Sequence, residues 1–244
     1  MNLIIFDYYI KFNLLIMDFN FLFDSSPKIT KSITIISGSI SILCWLNIIS
    51  PLYLYLNHEL IFKKCQFWRI FTNFFFFGSL SANCIFHLIL FFRNSKLLEK
   101  NVFKGNAADY LFFLLFCIIN IFIISPLFNI VFLSHSLSFA MTYYWGRKSK
   151  NGIVLIMGIL TLRAQYLPIF YLIFSIILNS DFREDLIGFF IGHLFYFFKD
   201  ILPRIKRVKK KQFLKTPNFI KKFCDICNLN NEFILEAEEE NMFF

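Results

Sequence analysis

The sequence predicts an all-α polytopic membrane protein in which six helices cross the bilayer and one further helix lies at its surface. First, 57% of the 244 residues are apolar, against about 45–50% in a typical soluble domain. Second, the apolar residues are gathered in long windows that lack Asp, Glu, Lys and Arg. Third, the connections between these windows are alternately rich and poor in Lys and Arg. We therefore expect a single membrane domain.

The charge-free windows locate the spans, because a helix needs about 20 apolar residues to cross the hydrocarbon core. We expect spans at about 32–50, at 70–92, twice within 110–146, at about 165–179 and at about 182–202. The window 110–146 has 37 residues, or about 55 Å of helix, which is nearly twice the thickness of the core. It is predicted to form a hairpin that turns at Ser125 and Pro126, since proline and its preceding residue disfavour helix.

The last third of the predicted membrane domain is less regular. Residues 151–162 are apolar but are followed by Arg163, so the segment 151–163 is expected to lie at the membrane interface. Within the sixth span only residues 186–198 are free of charge. That span reaches a usable length only by including polar flanks, and local thinning of the bilayer is one way to accommodate it.

Positive charge predicts the orientation, since cytosolic connections carry an excess of Lys and Arg. Four of these residues lie in 93–104, three in 147–150 and nine in 204–222, whereas the turn at 125–129 has none. Both termini are therefore expected in the cytosol. The predicted organisation is an N-terminal cytosolic segment (1–31), a six-span membrane domain (32–202) and a cytosolic tail that is first basic and then acidic (203–244).

One basic stretch, FKKCQFWRIFTNFFFFG (62–78), falls on the non-cytosolic side and needs another explanation. On a continuous helix Glu59, Lys63, Gln66 and Arg69 share one face, and Trp68 lies on the opposite, apolar face. Such a helix lies in the membrane interface rather than crossing it. We expect Arg69 to reach toward water and Trp68 to lie at the depth of the lipid headgroups.

The two ends of the chain leave alternatives open. Residues 1–17 are apolar but interrupted by Asp7 and Lys11, and they lack a small-residue cleavage site. This indicates a retained cytosolic or interfacial extension, with a signal peptide as the alternative. The basic part of the tail either lies against anionic lipid or is a solvated flank of the last span.

Few residues in the sequence point to chemistry. Cys224 and Cys227 form a lone CDIC, which supplies two ligands where structural zinc needs four, so neither a metal site nor a cofactor is expected. The predicted spans contain no Asp, Glu, Lys or Arg at mid-membrane, which argues against an ion-coupled transporter. In the charge-free parts of these spans the ionisable side chains, apart from cysteines and tyrosines, are His87, His135 and His193.

One combination in the spans resembles a catalytic pair. FLSHSLSFA places Ser134, Ser136 and Ser138 in the fourth span, and GFFIGH places Gly188, Gly192 and His193 in the sixth. A serine and a histidine on neighbouring helices form the nucleophile and base of an intramembrane hydrolase when they lie within hydrogen-bond reach. Alternatively, the serines hydrogen-bond within their own helix and His193 is a packing or hydrogen-bonding residue. The spacing of Gly188 and Gly192 favours close helix contact in either case.

Five segments in the same order resemble the derlin family, a branch of the rhomboid superfamily without proteolytic activity. They are NHELIFKKCQFWRIFTNFFFFG (57–78), LLEKNVFKGNAADYLFFLLF (97–116), QYLPIF (165–170), DLIGFFIGHLFYFFKDILP (185–203) and FLKTPNF (213–219). Trp68 and Arg69 match the family's Trp-Arg motif, and Gly188 and Gly192 match its Gly-x-x-x-Gly motif.

The resemblance implies a six-helix rhomboid-like fold in the endoplasmic reticulum membrane, with both termini cytosolic. It implies a non-enzymatic role in endoplasmic-reticulum-associated degradation, in which misfolded client proteins are retrotranslocated to the cytosol. The implied partners are these clients, a membrane ubiquitin ligase complex, a cytosolic AAA unfoldase, the lipid bilayer and further copies of this or a related chain; nucleic acid is not expected. The implied functional residues are Trp68, Arg69, Gly188, Gly192 and His193.

Two departures from the related patterns bear on function. Active rhomboids carry Gly-x-Ser-Gly in the fourth span, whereas Ser136 here follows Ser134 and His135 and precedes Leu137, so both glycines are missing. His193 is expected at the rhomboid histidine position, which leaves a serine protease using Ser136 and His193 as an alternative. The sequence after Gly192 has no glycine, so the glycine-rich unfoldase-binding segment of many derlins is absent. A further alternative is a paralogue that acts in protein import across another organelle membrane.

Overall fold

Helices make up most of the chain that the structure describes. The computed structural model describes residues 26–149, 152–156, 160–177, 182–204 and 214–229. Most of the predicted N-terminal segment, the central part of the basic tail and the acidic end therefore lie outside the described residues.

The described elements follow one another with short connections. In chain order they are α1 (Lys28–Trp45), α2 (His58–Lys63), α3 (Trp68–Phe75), α4 (Ala82–Leu97), α5 (Ala107–Phe128), α6 (Ser134–Lys148), β1 (Ile153–Ile156), β2 (Leu160–Arg163), α7 (Leu167–Ile177), α8 (Phe182–Tyr196) and α9 (Asn218–Ile226). The helix of α8 continues through a π-helical turn, Phe197–Ile201, and a 3-10 turn, Leu202–Arg204. This agrees with the sixth span predicted at about 182–202.

The distribution of apolar side chains is that of a membrane protein. Within the described residues, two helices are long and apolar enough to cross a bilayer, Ala107–Phe128 and Phe182–Arg204. Large apolar side chains are exposed along the outer faces of several helices, including Ile36, Ile123 and Ile173. Conversely, small polar side chains are buried between helices, among them Ser37, Ser41 and Thr142. Large exposed apolar surfaces are rare on soluble monomers, so these faces are suited to lipid.

The centre of the molecule is the contact between α6 and α8, which α5, α4 and α7 surround. An aromatic cluster fills the space between α5, α6 and α8. The ring of Phe195 lies 4.9 Å from that of Phe113 and 5.0 Å from that of Tyr144, in both cases edge to face. Such pairs stabilise by about 0.5–1.5 kcal/mol beyond the area that they bury. This packing holds α8 in place along the other helices.

The predicted turn between the third and fourth spans is wrong by a few residues. Helix α5 continues past Ser125 and Pro126 to Phe128, and the chain reverses after Asn129, whose φ is 52°. Pro126 cannot donate to the carbonyl of Phe122 because it has no N–H. The hydroxyl of Ser125 donates to that carbonyl instead, at 2.9 Å, so the helix passes the proline without leaving this carbonyl unpaired.

The predicted second span is not one helix. Helix α3 ends at Phe75, and α4 begins only at Ala82, after Gly78 with a φ of +103°. The hydroxyl of Ser81 then accepts a hydrogen bond from the N–H of Cys84 and starts α4. A serine at this position is a strong helix start, and a window without charge does not by itself reveal such a break.

The all-α prediction omits a short antiparallel hairpin. Residues in the segment expected at the interface form β1 and β2, in which Ile153 pairs with Arg163 and Ile156 with Leu160. The N–H of Ala164 donates to the carbonyl of Gly152 at 2.8 Å and closes the hairpin. β-Branched residues favour strands, and these runs of four residues are too short for a stable helix. The chain then enters α7 within the predicted fifth span.

Candidate functional site

Arg69 fixes the connection between α1 and α2. Its side chain is 4% exposed, and its Nη1 group donates to the carbonyls of Leu52 and Tyr55 at 3.0 and 3.1 Å. Its Nε donates to the side-chain oxygen of Gln66 at 2.7 Å, and the guanidinium lies 5.0 Å from the ring centre of Tyr55. A planar cation with several donors is suited to hold several acceptors at once. Arg69 thus joins α3 to a turn that precedes it in the chain.

Asn73, four residues after Arg69 on α3, also binds the connection between α1 and α2. Its amide nitrogen donates to the carbonyl of Val131 at 2.6 Å and to that of Leu54 at 3.4 Å. The N–H of Leu56 also donates to the carbonyl of Val131, at 3.0 Å. Asn73 therefore ties the turn before α2 to the connection between α5 and α6. Charge does not single out Asn73 in the sequence, because an amide is neutral; its position four residues after Arg69 is the available signal.

The amphipathic helix predicted around Trp68 is not continuous. Helix α2 ends at Lys63, Cys65 has a φ of 54°, and α3 begins at Trp68. The exposed pair of Glu59 and Lys63 is present, at 3.0 Å, but Arg69 is not on that polar face. A guanidinium that finds three oxygen acceptors inside the protein has no need to extend to water, and this is why the predicted face is wrong.

Trp68 points outward, in contrast to Arg69. It is 52% exposed, and its neighbours Phe67 and Phe71 are 57% and 68% exposed. Trp and other aromatic residues concentrate where apolar and polar regions of a membrane meet. The Trp-Arg pair is therefore divided: Arg69 holds the protein together, and Trp68 belongs to an exposed aromatic face on α3.

Gly188 and Gly192 allow α8 to lie directly against α6. A Cβ atom at Gly188 would be 2.3 Å from the carbonyl oxygen of Ser136, and one at Gly192 would be 2.8 Å from that of Ala140. No side chain fits at such distances, so only glycine permits this approach. The order of these contacts shows that α6 and α8 run in the same direction. The prediction of close helix contact at these two glycines agrees with this packing.

Ser136 and His193 have different partners in the structure. The hydroxyl of Ser136 donates to the carbonyl of Glu184 at 2.7 Å, and Nδ1 of His193 lies 2.6 Å from the hydroxyl of Tyr143. Tyr143 is seven residues beyond Ser136 on α6, which corresponds to about 10 Å along the helix axis. This spacing leaves the two side chains without the short contact of a nucleophile and its base. Ser136 and His193, the pair named for the alternative serine protease, are therefore not hydrogen-bonded to each other in the structure.

The buried serines of α6 bind neighbouring elements instead of their own helix. Besides the contact of Ser136 with the first turn of α8, the hydroxyl of Ser134 donates to the carbonyl of Phe76 at 2.7 Å. His135, between them, lies 3.3 Å from a carboxylate oxygen of Glu184. The start of α6 is thus connected to α8 and to the connection between α3 and α4. The alternative that these serines hydrogen-bond within their own helix is not what the structure shows.

Glu99 lies at the other end of the molecule from Arg69, and it connects α1 to the segment between α4 and α5. One carboxylate oxygen accepts hydrogen bonds from the N–H and the hydroxyl of Thr30, at 2.9 and 2.7 Å. Thr30 is in the first turn of α1, where backbone N–H groups have no partner in their own helix. The hydroxyl of Ser95 lies within hydrogen-bond distance of both Thr30 and Tyr110. Glu99 therefore caps α1 from the connection between α4 and α5, a role that its place in the sequence did not reveal.

The stability of the protein is expected to depend on pH through Glu99. Burial raises the pKa of Glu99 to about 7, although hydrogen bonds from Thr30 and Ile29 lower it. Because the folded protein holds this proton more tightly than the unfolded chain, stability should fall as the pH rises from about 5 to about 7, by up to about 3 kcal/mol. Glu99→Gln should remove this slope in thermal unfolding in detergent. Glu59→Gln, at an exposed site, is the control that should keep it, and an unchanged slope in Glu99→Gln would contradict the assignment.

The segment after α8 lies at the end of the molecule that contains Glu99. The hydroxyl of Thr216 donates to the carboxylate of Asp109 in the first turn of α5, so two of the segments that resemble derlins meet here. Within α9, Ile220 and Cys224 are buried, whereas Cys227 is exposed. In the part of the chain that the structure describes, no three His, Cys, Asp or Glu side chains are arranged to hold a metal ion.

Comparison with known proteins identifies the family. The model of the Der1-like family matches residues 26–218. A probable derlin-2 homolog of Dictyostelium discoideum is 38% identical over 192 residues, which are 76% of this chain and 74% of the relative. Derlin-2.2 of Arabidopsis thaliana is 37% identical over 206 residues, 80% and 83% of the two chains, and Derlin-1.1 of Zea mays is 35% identical over 202 residues, 82% of each. The resemblance seen in the sequence is thereby confirmed, and the chain belongs to the Der1-like, or derlin, family.

Proposed function

We propose that the protein is a non-enzymatic component of endoplasmic-reticulum-associated degradation that helps misfolded proteins to pass from the lumen to the cytosol. Membership of the derlin family supports a general role in this degradation pathway. The observation that carries the proposal is the match to derlins over most of both chains, at 35–38% identity.

The proposed mechanism is a local thinning of the bilayer around a rhomboid-like bundle of six spans. The helix of α8 is 23 residues long with its extensions, but only residues 186–198 are uncharged. Thirteen residues of helix cover about 20 Å, about 10 Å less than a normal hydrocarbon core. A bilayer that thins to match this length lowers the barrier for a polar polypeptide to cross. The parallel course of α6 and α8, with α7 between them in the chain, supports the alternating spans.

The proposed topology follows from charge and from the two ends of the molecule. We assign the end with Glu99, Thr216 and α9 to the cytosol, because its connections carry most Lys and Arg. The end with Trp68 and Arg69 is then lumenal. There Arg69 and Asn73 hold the backbone rigid while the aromatic face of α3 contacts lipid headgroups. A membrane ubiquitin ligase complex, a cytosolic unfoldase and further copies of the chain are the proposed partners.

The proposal is tested by the turnover of a misfolded lumenal protein. In cells that lack the protein, the half-life of such a client should lengthen, and the wild-type chain should restore it. A tagged copy should coincide with a marker of the endoplasmic reticulum. Unchanged client turnover with and without the protein, or residence in a different organelle, would contradict the proposal.

The same experiment distinguishes the proposed role from that of an intramembrane serine protease. Because the Ser136 hydroxyl donates to the carbonyl of Glu184, we expect Ser136→Ala to restore client turnover as well as the wild type does. A fluorophosphonate probe should label the wild-type protein and Ser136→Ala equally. Labelling that disappears in Ser136→Ala, together with loss of client turnover at normal expression, would instead identify an intramembrane serine protease.

A further inference from the structure

A basic pocket lies where α5 begins and the helix of α8 ends. It has a volume of about 370 Å³, and its walls include Asp109, Lys199, Pro203, Lys215, Thr216 and Lys221. The three lysines come from two separate parts of the chain: Lys199 from the π-helical turn after α8, and Lys215 and Lys221 from the segment before α9 and from α9 itself. The volume is at the low end of those of small-molecule sites, which suits a lipid headgroup.

The charge of the pocket favours an anion. The single acidic residue that lines it, Asp109, accepts a hydrogen bond from Thr216, and Nζ of Lys199 donates to the carbonyl of Leu214 at 3.4 Å. The three lysines thus give the lining two more positive than negative charges. Basic pockets beside spanning helices on the cytosolic side bind anionic lipid headgroups.

Helix α9 places the pocket at the membrane surface. Thr216, just before α9, contacts Asp109 in the first turn of α5, and Nζ of Lys28, in the first turn of α1, donates to the carbonyl of Asn228 just after it. The helix therefore lies across the ends of two helices at the level where they begin. In the topology proposed above, this level is the cytosolic face of the membrane, where the lipid headgroups lie.

The surface of α9 has three distinct faces. Ile220 and Cys224 are buried against the protein, whereas Phe219, Phe223 and Ile226 are 70%, 57% and 73% exposed. These three residues recur at intervals of four and three, so they form one apolar stripe. Lys221 and Lys222 lie on the remaining, polar face. An exposed apolar stripe beside a basic face is typical of a helix that lies on lipid.

We propose that this pocket binds the phosphate group of an anionic membrane lipid, with the apolar stripe of α9 against its acyl chains. The shared chemistry is a phosphate ester held by Lys199, Lys215 and Lys221, and the stripe favours a lipid over a free phosphate compound. The inference concerns binding alone and does not depend on the proposed role in degradation.

The experiment measures binding of fluorescent phosphatidylinositol monophosphate to the full chain in phosphatidylcholine nanodiscs. Lys215→Gln with Lys221→Gln should weaken binding by about 30-fold, at roughly fivefold for each lysine near the surface. Lys215→Arg with Lys221→Arg keeps the charge and should bind as the wild type does. The matched control, Lys100→Gln with Lys104→Gln, removes the same charge from exposed lysines outside the pocket, in the connection between α4 and α5 at the same end of the molecule, and should leave binding unchanged.

Two outcomes would overturn the proposal. Equal loss of binding in the pocket variant and the matched control would show diffuse attraction to a basic surface instead of a site. Free inositol bisphosphate that binds as tightly as the lipid would show that the ligand is a soluble phosphate and that the stripe of α9 contributes nothing. Phe219→Ser with Phe223→Ser should weaken binding of the lipid but leave binding of the soluble headgroup unchanged.

Discussion

Gly188→Leu is expected to force α8 away from α6 and to destabilise the folded protein by at least about 3 kcal/mol. The first atom of any side chain at this position would be 2.3 Å from the backbone oxygen of Ser136 and 2.7 Å from Cβ of Phe139. A backbone atom cannot turn aside as the end of a flexible side chain can. Overpacking usually destabilises by about 1–3 kcal/mol, and leucine adds further atoms behind the first clash.

The measurement is the thermal unfolding temperature of the purified protein in detergent, with client turnover in cells as the second readout. Gly188→Ala and Gly38→Ala are a matched pair, because each adds one methyl group to a helix. A Cβ atom at Gly38 would have nothing within 4 Å, and alanine is the better helix former by about 1 kcal/mol. Gly38→Ala should therefore keep or raise stability, whereas Gly188→Ala should lower it.

The functional result should follow the structural one. If the contact of α6 with α8 shapes the bundle that thins the bilayer, Gly188→Leu should also slow client turnover when expression is matched to the wild type. A Gly188→Leu protein as stable as Gly38→Ala would contradict the close packing of these helices. Normal client turnover in a destabilised but well-expressed variant would instead separate this contact from the proposed mechanism.

Arg69→Ala is expected to release the turn before α2 and to destabilise the protein by about 2–4 kcal/mol. The substitution leaves the carbonyls of Leu52 and Tyr55 without the donor that now reaches them. Each buried group that loses its partner costs about 1–3 kcal/mol. The cation over the ring of Tyr55 is lost as well.

Hydrogen exchange can locate this effect. The N–H groups of Leu54 and Leu56 donate to the carbonyls of Pro51 and Val131, and their exchange should accelerate in Arg69→Ala while that of α8 is less affected. Lys64→Ala removes a nearby cation that is exposed and is the matched control. Arg69→Lys should accelerate exchange at these two N–H groups less than Arg69→Ala does, since an ammonium group keeps the charge but cannot reproduce the planar fork of donors. If hydrogen exchange at this turn is unchanged in Arg69→Ala, the hydrogen bonds of Arg69 do not stabilise the turn and the assignment is contradicted.

The location of the helices could largely be predicted from the sequence. Long windows of apolar residues without charge identify segments suited to lipid. The described helices α7 and α8 lie inside the predicted fifth and sixth spans, and α5 overlaps most of the predicted third span. The exceptions have local causes. The hydroxyl of Ser125 carries α5 past Pro126, and Gly78 and Ser81 divide the predicted second span. The short strand β1, three of whose four residues are β-branched, pairs with β2 in a hairpin. Each of these depends on particular hydrogen bonds, to which a count of apolar residues is insensitive.

The candidate site could be predicted only in part. Trp68, Arg69, Gly188 and Gly192 were identified from motifs, but the role expected of Arg69 was wrong because amphipathic spacing was extended across a break in the helix. Ser136 and His193 lie on the predicted helices, yet the register of α6 against α8 places them beside different partners. Asn73 and Glu99 carry structural roles that appear only when distant carbonyl and N–H groups are brought next to them.

The sequence by itself determined that this chain is a membrane protein of the derlin family, since composition and ordered motifs are properties of the chain alone. The tertiary structure decided which polar groups are inside. Arg69 is buried because three oxygen acceptors, two of them from a turn well before it in the chain, converge on it, and Glu99 is buried because the start of α1 offers it free N–H groups. These pairings are set by contacts between residues far apart in sequence, and local patterns of hydrophobicity and charge carry no information about them.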